Sequence, residues 1–140
     1  MSTVDALQAA LAGEHACVYG YGLLGPYVSD ANEPAVRAAY EAHRVRRDLL
    51  SVQVRARSAE PAAAHAAYAV PFAVTDEATA RRLAGLLEQR LAPLYADLVG
   101  VTSNLTLRET ATRALVEAAA RGALWTGDTT ALPGLDPVSP

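Results

Sequence analysis

Ser58-Ala-Glu-Pro-Ala-Ala-Ala-His-Ala-Ala-Tyr-Ala-Val-Pro-Phe-Ala-Val74 is the stretch on which the fold turns. Pro61 and Pro71 forbid a continuous helix through it. The apolar run Tyr68-Ala-Val-Pro-Phe72 is too greasy for a free linker. The segment therefore reads as a crossover, over about 58–75, that packs along the molecule and separates two pairs of helical segments. Before it, residues 3–24 place Leu7, Leu11, Glu14, Val18 and Tyr21 at spacings of three and four, an apolar face broken only by Glu14. Gly25-Pro26 ends this helix. Asn32 ahead of Glu33-Pro34 reads as the N-cap of a second helix, 32–57, with Val36, Tyr40, His43, Arg47, Leu50 and Val54 inward.

Beyond the crossover, Thr75 followed by Asp76 and Glu77 reads as the cap of a third helix, 76–103, whose buried side is marked by Leu83, Leu87, Leu91, Leu94 and Leu98. Pro93 is expected to kink it. Thr106-Leu-Arg-Glu109 resembles a capping box that opens a fourth helix, 106–125. Residues 126–140, rich in Gly, Pro and Asp, read as a tail. Short first and third loops make each pair an antiparallel hairpin. The expected fold is all-α: one domain over 1–140, an up-down four-helix bundle with a long crossover between helices two and three, which is the ferritin-like connectivity. Sliding the chain on itself by 74 residues, the difference between 88 and 14, pairs Glu14 with Glu88, Tyr21 with Tyr95, Leu24 with Leu98, Arg47 with Arg121 and Leu50 with Leu124. The two hairpins thus read as a pseudo-twofold repeat.

Composition narrows the function. In 140 residues, 12 basic side chains, all arginine, meet 15 acidic ones for a net charge of -3. No basic stripe is available for a phosphate backbone, so a nucleic-acid partner is not expected. No run reaches the roughly 18 apolar residues of a membrane span, so no membrane partner is expected either. The single cysteine, Cys17, excludes an internal disulfide and a cysteine-rich zinc site, and the N-terminus lacks a signal-peptide pattern. The expected location is the cytoplasm.

One polar constellation stands out. Glu14, His43, Glu88 and Glu117 lie near the middles of helices one to four, at a common depth of an antiparallel bundle. Di-metal carboxylate bundles place there a Glu from each of two helices and a Glu-x-x-His from each of the other two. That pattern fails here. Tyr40 stands three residues before His43, and Thr112 and Ala120 stand three residues after Glu109 and Glu117. Arg47, one turn beyond His43, is placed to neutralise a carboxylate as a metal would. The preferred reading is a register-fixing network of Glu14, His43, Arg47, Glu88 and Glu117, with no catalytic residue and no cofactor. The alternative is an Fe or Mn site made of Glu14, His43, Glu88 and Glu117. Tyr21 and Tyr95 are candidates to line a small-molecule pocket, for an unknown ligand. His15 reads as partly exposed, His65 as solvent-facing, and Arg44 and Arg46 as charges on a solvated face. Gly20 and Gly22 suggest a close helix approach.

Glu14-His-Ala-Cys-Val-Tyr-Gly-Tyr-Gly22, Ala42-His-Arg-Val-Arg-Arg-Asp48, Tyr68-Ala-Val-Pro-Phe72 with Val74-Thr-Asp76, and Tyr95-Ala-Asp-Leu98 together resemble a bacterial ferritin-like family known only as a domain of unknown function. The resemblance spans nearly the whole chain. It implies a ferritin-like four-helix bundle, commonly a homodimer, in a branch without the complete di-iron ligand set. Glu14 and His43 are the positions that match its motifs, with Arg47 beside them. It brings no reaction, and the expectation for the chain is a non-enzymatic helical dimer.

Overall fold

Ser2 starts the first helix by exchanging hydrogen bonds with Asp5: the Asp5 amide donates to Ser2 Oγ at 3.1 Å and the Ser2 amide to Asp5 Oδ2 at 2.8 Å. Residues 1–127 are those described by this computed structural model. Helix α1 runs over Thr3–Leu24 and ends in a tight turn of 3-10 helix, Gly25–Tyr27. Helix α2 covers Glu33–Arg55, α3 Glu77–Val101 and α4 Leu105–Thr126. Among the described residues there is no strand, and no helix is long and apolar enough to cross a membrane. Residues 128–140, most of the expected tail, lie outside the described residues.

The helix starts differ from the sequence reading in instructive ways. Asn32 makes no side-chain cap for α2. It donates instead from Nδ2 to Glu77 Oε1 at 2.6 Å, and Glu77 also accepts from the Ser29 amide, so the α1–α2 turn is fastened to the first turn of α3. Asp76, not Thr75, caps α3, accepting from the Thr79 amide at 2.9 Å. Helix α4 begins before Thr106, because Asn104 accepts from the Leu107 amide at 2.9 Å and satisfies that donor first. Gly127, at φ 76°, closes α4 with its amide on the Ala123 carbonyl, a left-handed conformation that glycine adopts without a Cβ penalty. Helix α3 continues through Pro93.

Helix α1 packs against α2 and α3, and α4 packs against α3. Thr3 meets the Val101 carbonyl at one end of α1 and Ser29 meets Glu77 beyond the other, so α1 and α3 are antiparallel. Their shared seam buries Leu7, Leu11, Leu24, Leu91 and Leu98. Each such leucine contributes about 1.5–3 kcal/mol by leaving water. At Gly20 the approach is close: a Cβ there would stand 2.4 Å from Leu87 Cδ1, whereas one on Gly22 would meet only Tyr40 at 3.9 Å. The close-approach role therefore belongs to Gly20.

The crossover is irregular backbone held down by side chains of α1. The Gln8 amide group both donates to the Glu60 carbonyl at 2.7 Å and accepts from the Ala62 amide at 2.8 Å. One turn pair further on, His15 Nε2 lies 2.9 Å from the Ala62 carbonyl, and Tyr19 and Tyr68 stack at an angle with 5.3 Å between ring centroids. Gln8, His15 and Tyr19 thus form a second face of α1, devoted to the crossover. His65 is exposed, and Phe72 is covered by the Arg82 guanidinium at 4.2 Å.

Candidate functional site

Glu14 and Tyr21 are seven residues apart on α1, and Glu88 and Tyr95 are seven apart on α3, so each pair lies two turns apart on one inward face. Because the helices are antiparallel, each tyrosine reaches the glutamate of the other helix. Tyr21 donates its hydroxyl to Glu88 Oε1 at 2.6 Å, and Tyr95 donates to Glu14 Oε1. His43 of α2 is wedged between the carboxylates, Nδ1 at 2.6 Å from Glu14 Oε2 and Nε2 at 2.8 Å from Glu88 Oε1. The Tyr21 ring stacks on the imidazole with centroids 5.3 Å apart, and Trp125 of α4 donates from Nε1 to the Tyr21 hydroxyl at 3.0 Å. The chain Trp125, Tyr21, Glu88, His43, Glu14, Tyr95 ties all four helices together. Glu14 and Glu88 are fully buried and His43 almost so.

The charge state follows from the partners. A carboxylate only accepts, so two of them facing the two ring nitrogens require both nitrogens to carry hydrogen, and His43 is an imidazolium. Burial pulls its pKa down, but the hydrogen bonds and charges of Glu14 and Glu88 more than offset this and hold it at about 9, from an ordinary 6.5. Burial first, and the Glu88 charge second, push the Tyr21 hydroxyl up; burial and Glu14 do the same to Tyr95. Both phenols stay neutral donors. Cys17, beside them, is also raised by burial and then by the two glutamates, so it stays a thiol. One atom of the cluster is left over: among the described residues, Glu88 Oε2 is the buried side-chain oxygen with no hydrogen-bond partner.

Of the residues singled out in the sequence, the structure brings Glu14, His43 and Glu88 together and leaves two aside. Glu117 lies at the surface, accepting from Arg46 at 2.5 Å, with Arg121 3.9 Å away. Arg47 turns to Asp48 at 2.9 Å. The arginine that bridges helices is therefore Arg46, expected on a solvated face, whose side chain is only 15% exposed and covers the Tyr95 ring at 5.9 Å. Arg44 is exposed and pairs with Glu41, as a solvated face requires. Tyr21 and Tyr95 are both buried, and their hydroxyls belong to the network. Trp125 enters the network from the last turn of α4, opposite Tyr21.

The donor set does not fit a di-metal centre. One histidine is present where two are needed, and Glu117 is out of reach. A smaller group remains, since Glu14, Cys17 and His43 each offer one donor atom within 4.8 Å of the others. For it to bind a cation, His43 would have to lose a proton held between two carboxylates and Cys17 a proton held by burial, because both bind metals through a lone pair.

Comparison with curated proteins gives no significant match. A family model described as "Domain of unknown function (DUF4439)" matches residues 6–137. Among solved structures, the chain is similar to one described as "Crystal structure of a conserved hypothetical protein, rv2844, from Mycobacterium tuberculosis", with 34% sequence identity and a TM-score of 0.86. The similarity covers 89% of this chain and 95% of that one. With a match over nearly its whole length and a close structural relative, the chain belongs to the DUF4439 family of domains of unknown function.

Proposed function

We propose that this protein is a non-enzymatic, ferritin-like helical module that acts as a homodimer, with the Glu14–His43–Glu88 bridge in the place where ferritin-like proteins hold two metal ions. The observation that carries this reading is that both ring nitrogens of His43 are engaged by carboxylates. An imidazolium so held has no lone pair for a metal, and it is buried together with both carboxylates. It does what a cation does in such a bundle, neutralising carboxylates from two helices and fixing their register.

Support for the dimer comes from the outer side of α2 and α4. Val45, Val52 and Val116 are 64%, 60% and 61% exposed, and a groove between the two helices is lined by Ala42, Val45 and Leu49. Arg113 and Glu117 of α4, with Glu41 and Arg46 of α2, surround it with both signs of charge, which suits a surface that meets its own copy about a twofold axis. Sedimentation equilibrium of the wild type and Val45→Arg tests this: a dimer that becomes a folded monomer supports the reading, and a monomeric wild type ends it.

The second reading, a single Fe or Mn ion, is favoured by the Glu14, Cys17 and His43 cluster and by the unpartnered Glu88 Oε2. Elemental analysis after anaerobic Fe(II) or Mn(II) loading and desalting separates the two. Substoichiometric metal, unchanged in Glu14→Gln, supports the imidazolium bridge. One equivalent that disappears in Glu14→Gln replaces it with a metal site.

A further inference from the structure

Next to the His43 cluster, with Cys17 common to both, a cavity of about 180 Å³ lies between α1, α3 and the crossover. Gly13, Ala16 and Gly20 of α1 put almost no side chain into it, Leu87 and Leu91 of α3 wall it, and Tyr68 of the crossover covers it. The space is larger than the engineered apolar cavity of about 150 Å³ that takes up benzene, so it holds one aromatic ring or a short alkyl chain. Its lining includes a single charged residue, Arg90. Arg90 is exposed and therefore at the rim, and among the described residues its guanidinium has neither an ion pair nor a hydrogen bond. Most other arginines of the chain are engaged, by Glu33, Glu41, Glu117, Asp48, Gln53 or Glu109, by a backbone carbonyl, or by an aromatic ring.

We propose that this cavity is a binding site for a small amphipathic carboxylic acid, its apolar body enclosed under the crossover and its carboxylate held by Arg90. The walls select an apolar group the size of one ring or a short chain, and the planar guanidinium matches a carboxylate in a bidentate pair. A neutral ligand of the same shape gains only the apolar part. Cys17 stands between this site and the imidazolium bridge, and none of the lining residues belongs to the groove between α2 and α4.

Benzoate and hexanoate are suitable probes, with benzyl alcohol as the neutral counterpart, each titrated into ¹⁵N-labelled protein. The expected result is saturable movement of the Gly13 and Gly20 amide resonances with either acid. Arg90→Gln, at an exposed position, should weaken benzoate about fivefold and leave benzyl alcohol unchanged. Ala16→Phe, filling the space, should abolish binding of all three while the circular dichroism spectrum and cooperative unfolding persist. The proposal is overturned if neither acid moves those resonances, if Arg90→Gln leaves benzoate binding intact, or if a folded Ala16→Phe still binds. Should Ala16→Phe not fold, the wild type and Arg90→Gln titrations decide alone.

Discussion

Tyr21 of α1 donates its hydroxyl to Glu88 of α3, 67 positions along the chain, while the glutamate of its own helix is served by the tyrosine of α3. This crosswise exchange makes the two halves of the molecule depend on each other. It also differs at its two ends, because Glu14 uses both carboxylate oxygens and Glu88 only one.

The first prediction concerns that asymmetry. Both oxygens of Glu14 are in use, so the NH₂ of Glu14→Gln must either face the His43 N–H, donor against donor, or turn the Tyr95 hydroxyl from donor to acceptor and leave its hydrogen without a partner. Glu88→Gln can turn its NH₂ to the unpartnered side and keep its oxygen for Tyr21 and His43. Denaturant unfolding should show Glu14→Gln costing about 3–5 kcal/mol and Glu88→Gln less than half as much, although the two positions correspond in the internal repeat.

Tyrosine hydroxyls carry the second prediction. Tyr95→Phe leaves Glu14 Oε1 without a donor and should cost about 1–3 kcal/mol. Tyr21→Phe removes a donor from Glu88 and also the acceptor of Trp125 Nε1, so it should cost more than Tyr95→Phe in the same unfolding measurement.

Stability should fall with rising pH, which is the third prediction. His43 keeps its proton to about pH 9 when folded and to 6.5 when unfolded, so between these values the folded protein binds more protons. The stabilisation is complete below pH 6.5 and lost above pH 9, with an amplitude of about 3 kcal/mol. Urea midpoints across this window should drop in the wild type, and His43→Gln should flatten that slope.

Glycine contacts allow a fourth prediction. A Cβ on Gly100 would meet nothing within 4 Å, so Gly100→Ala should raise stability by up to about 1 kcal/mol through helix propensity. Gly20→Ala should gain the same propensity but displace Leu87 from the α1–α3 seam, and thermal melts should show it at or below the wild type.

The helices and their connectivity follow from periodicity, and the common depth of Glu14, His43 and Glu88 follows from their places near the helix centres. What misleads is the repeat. Its offset of 74 holds for α1 and α3, where buried Glu14, Tyr21 and Leu24 correspond to buried Glu88, Tyr95 and Leu98. For α2 and α4 the buried sets match at 75 instead: Val36, Ala39, His43 and Leu50 with Ala111, Ala114, Ala118 and Trp125. The counterpart of His43 is thus Ala118, and Glu117 is rotated by about 100° toward solvent. Arg46 and Arg47 differ by the same rotation, and only the gap between α2 and α4, which no periodicity encodes, selects Arg46 to cross it.

His43, the one histidine of the buried cluster, gives the molecule a direction. The amino-terminal hairpin contains both a buried acid and the base that neutralises it, whereas Glu88 of the carboxy-terminal hairpin takes its hydrogen bonds, among the described residues, from Tyr21 and His43 of the other hairpin. Glu88 is therefore neutralised across the molecule, by the cation of the other hairpin, and the charge balance of the core is struck between the halves and not within each.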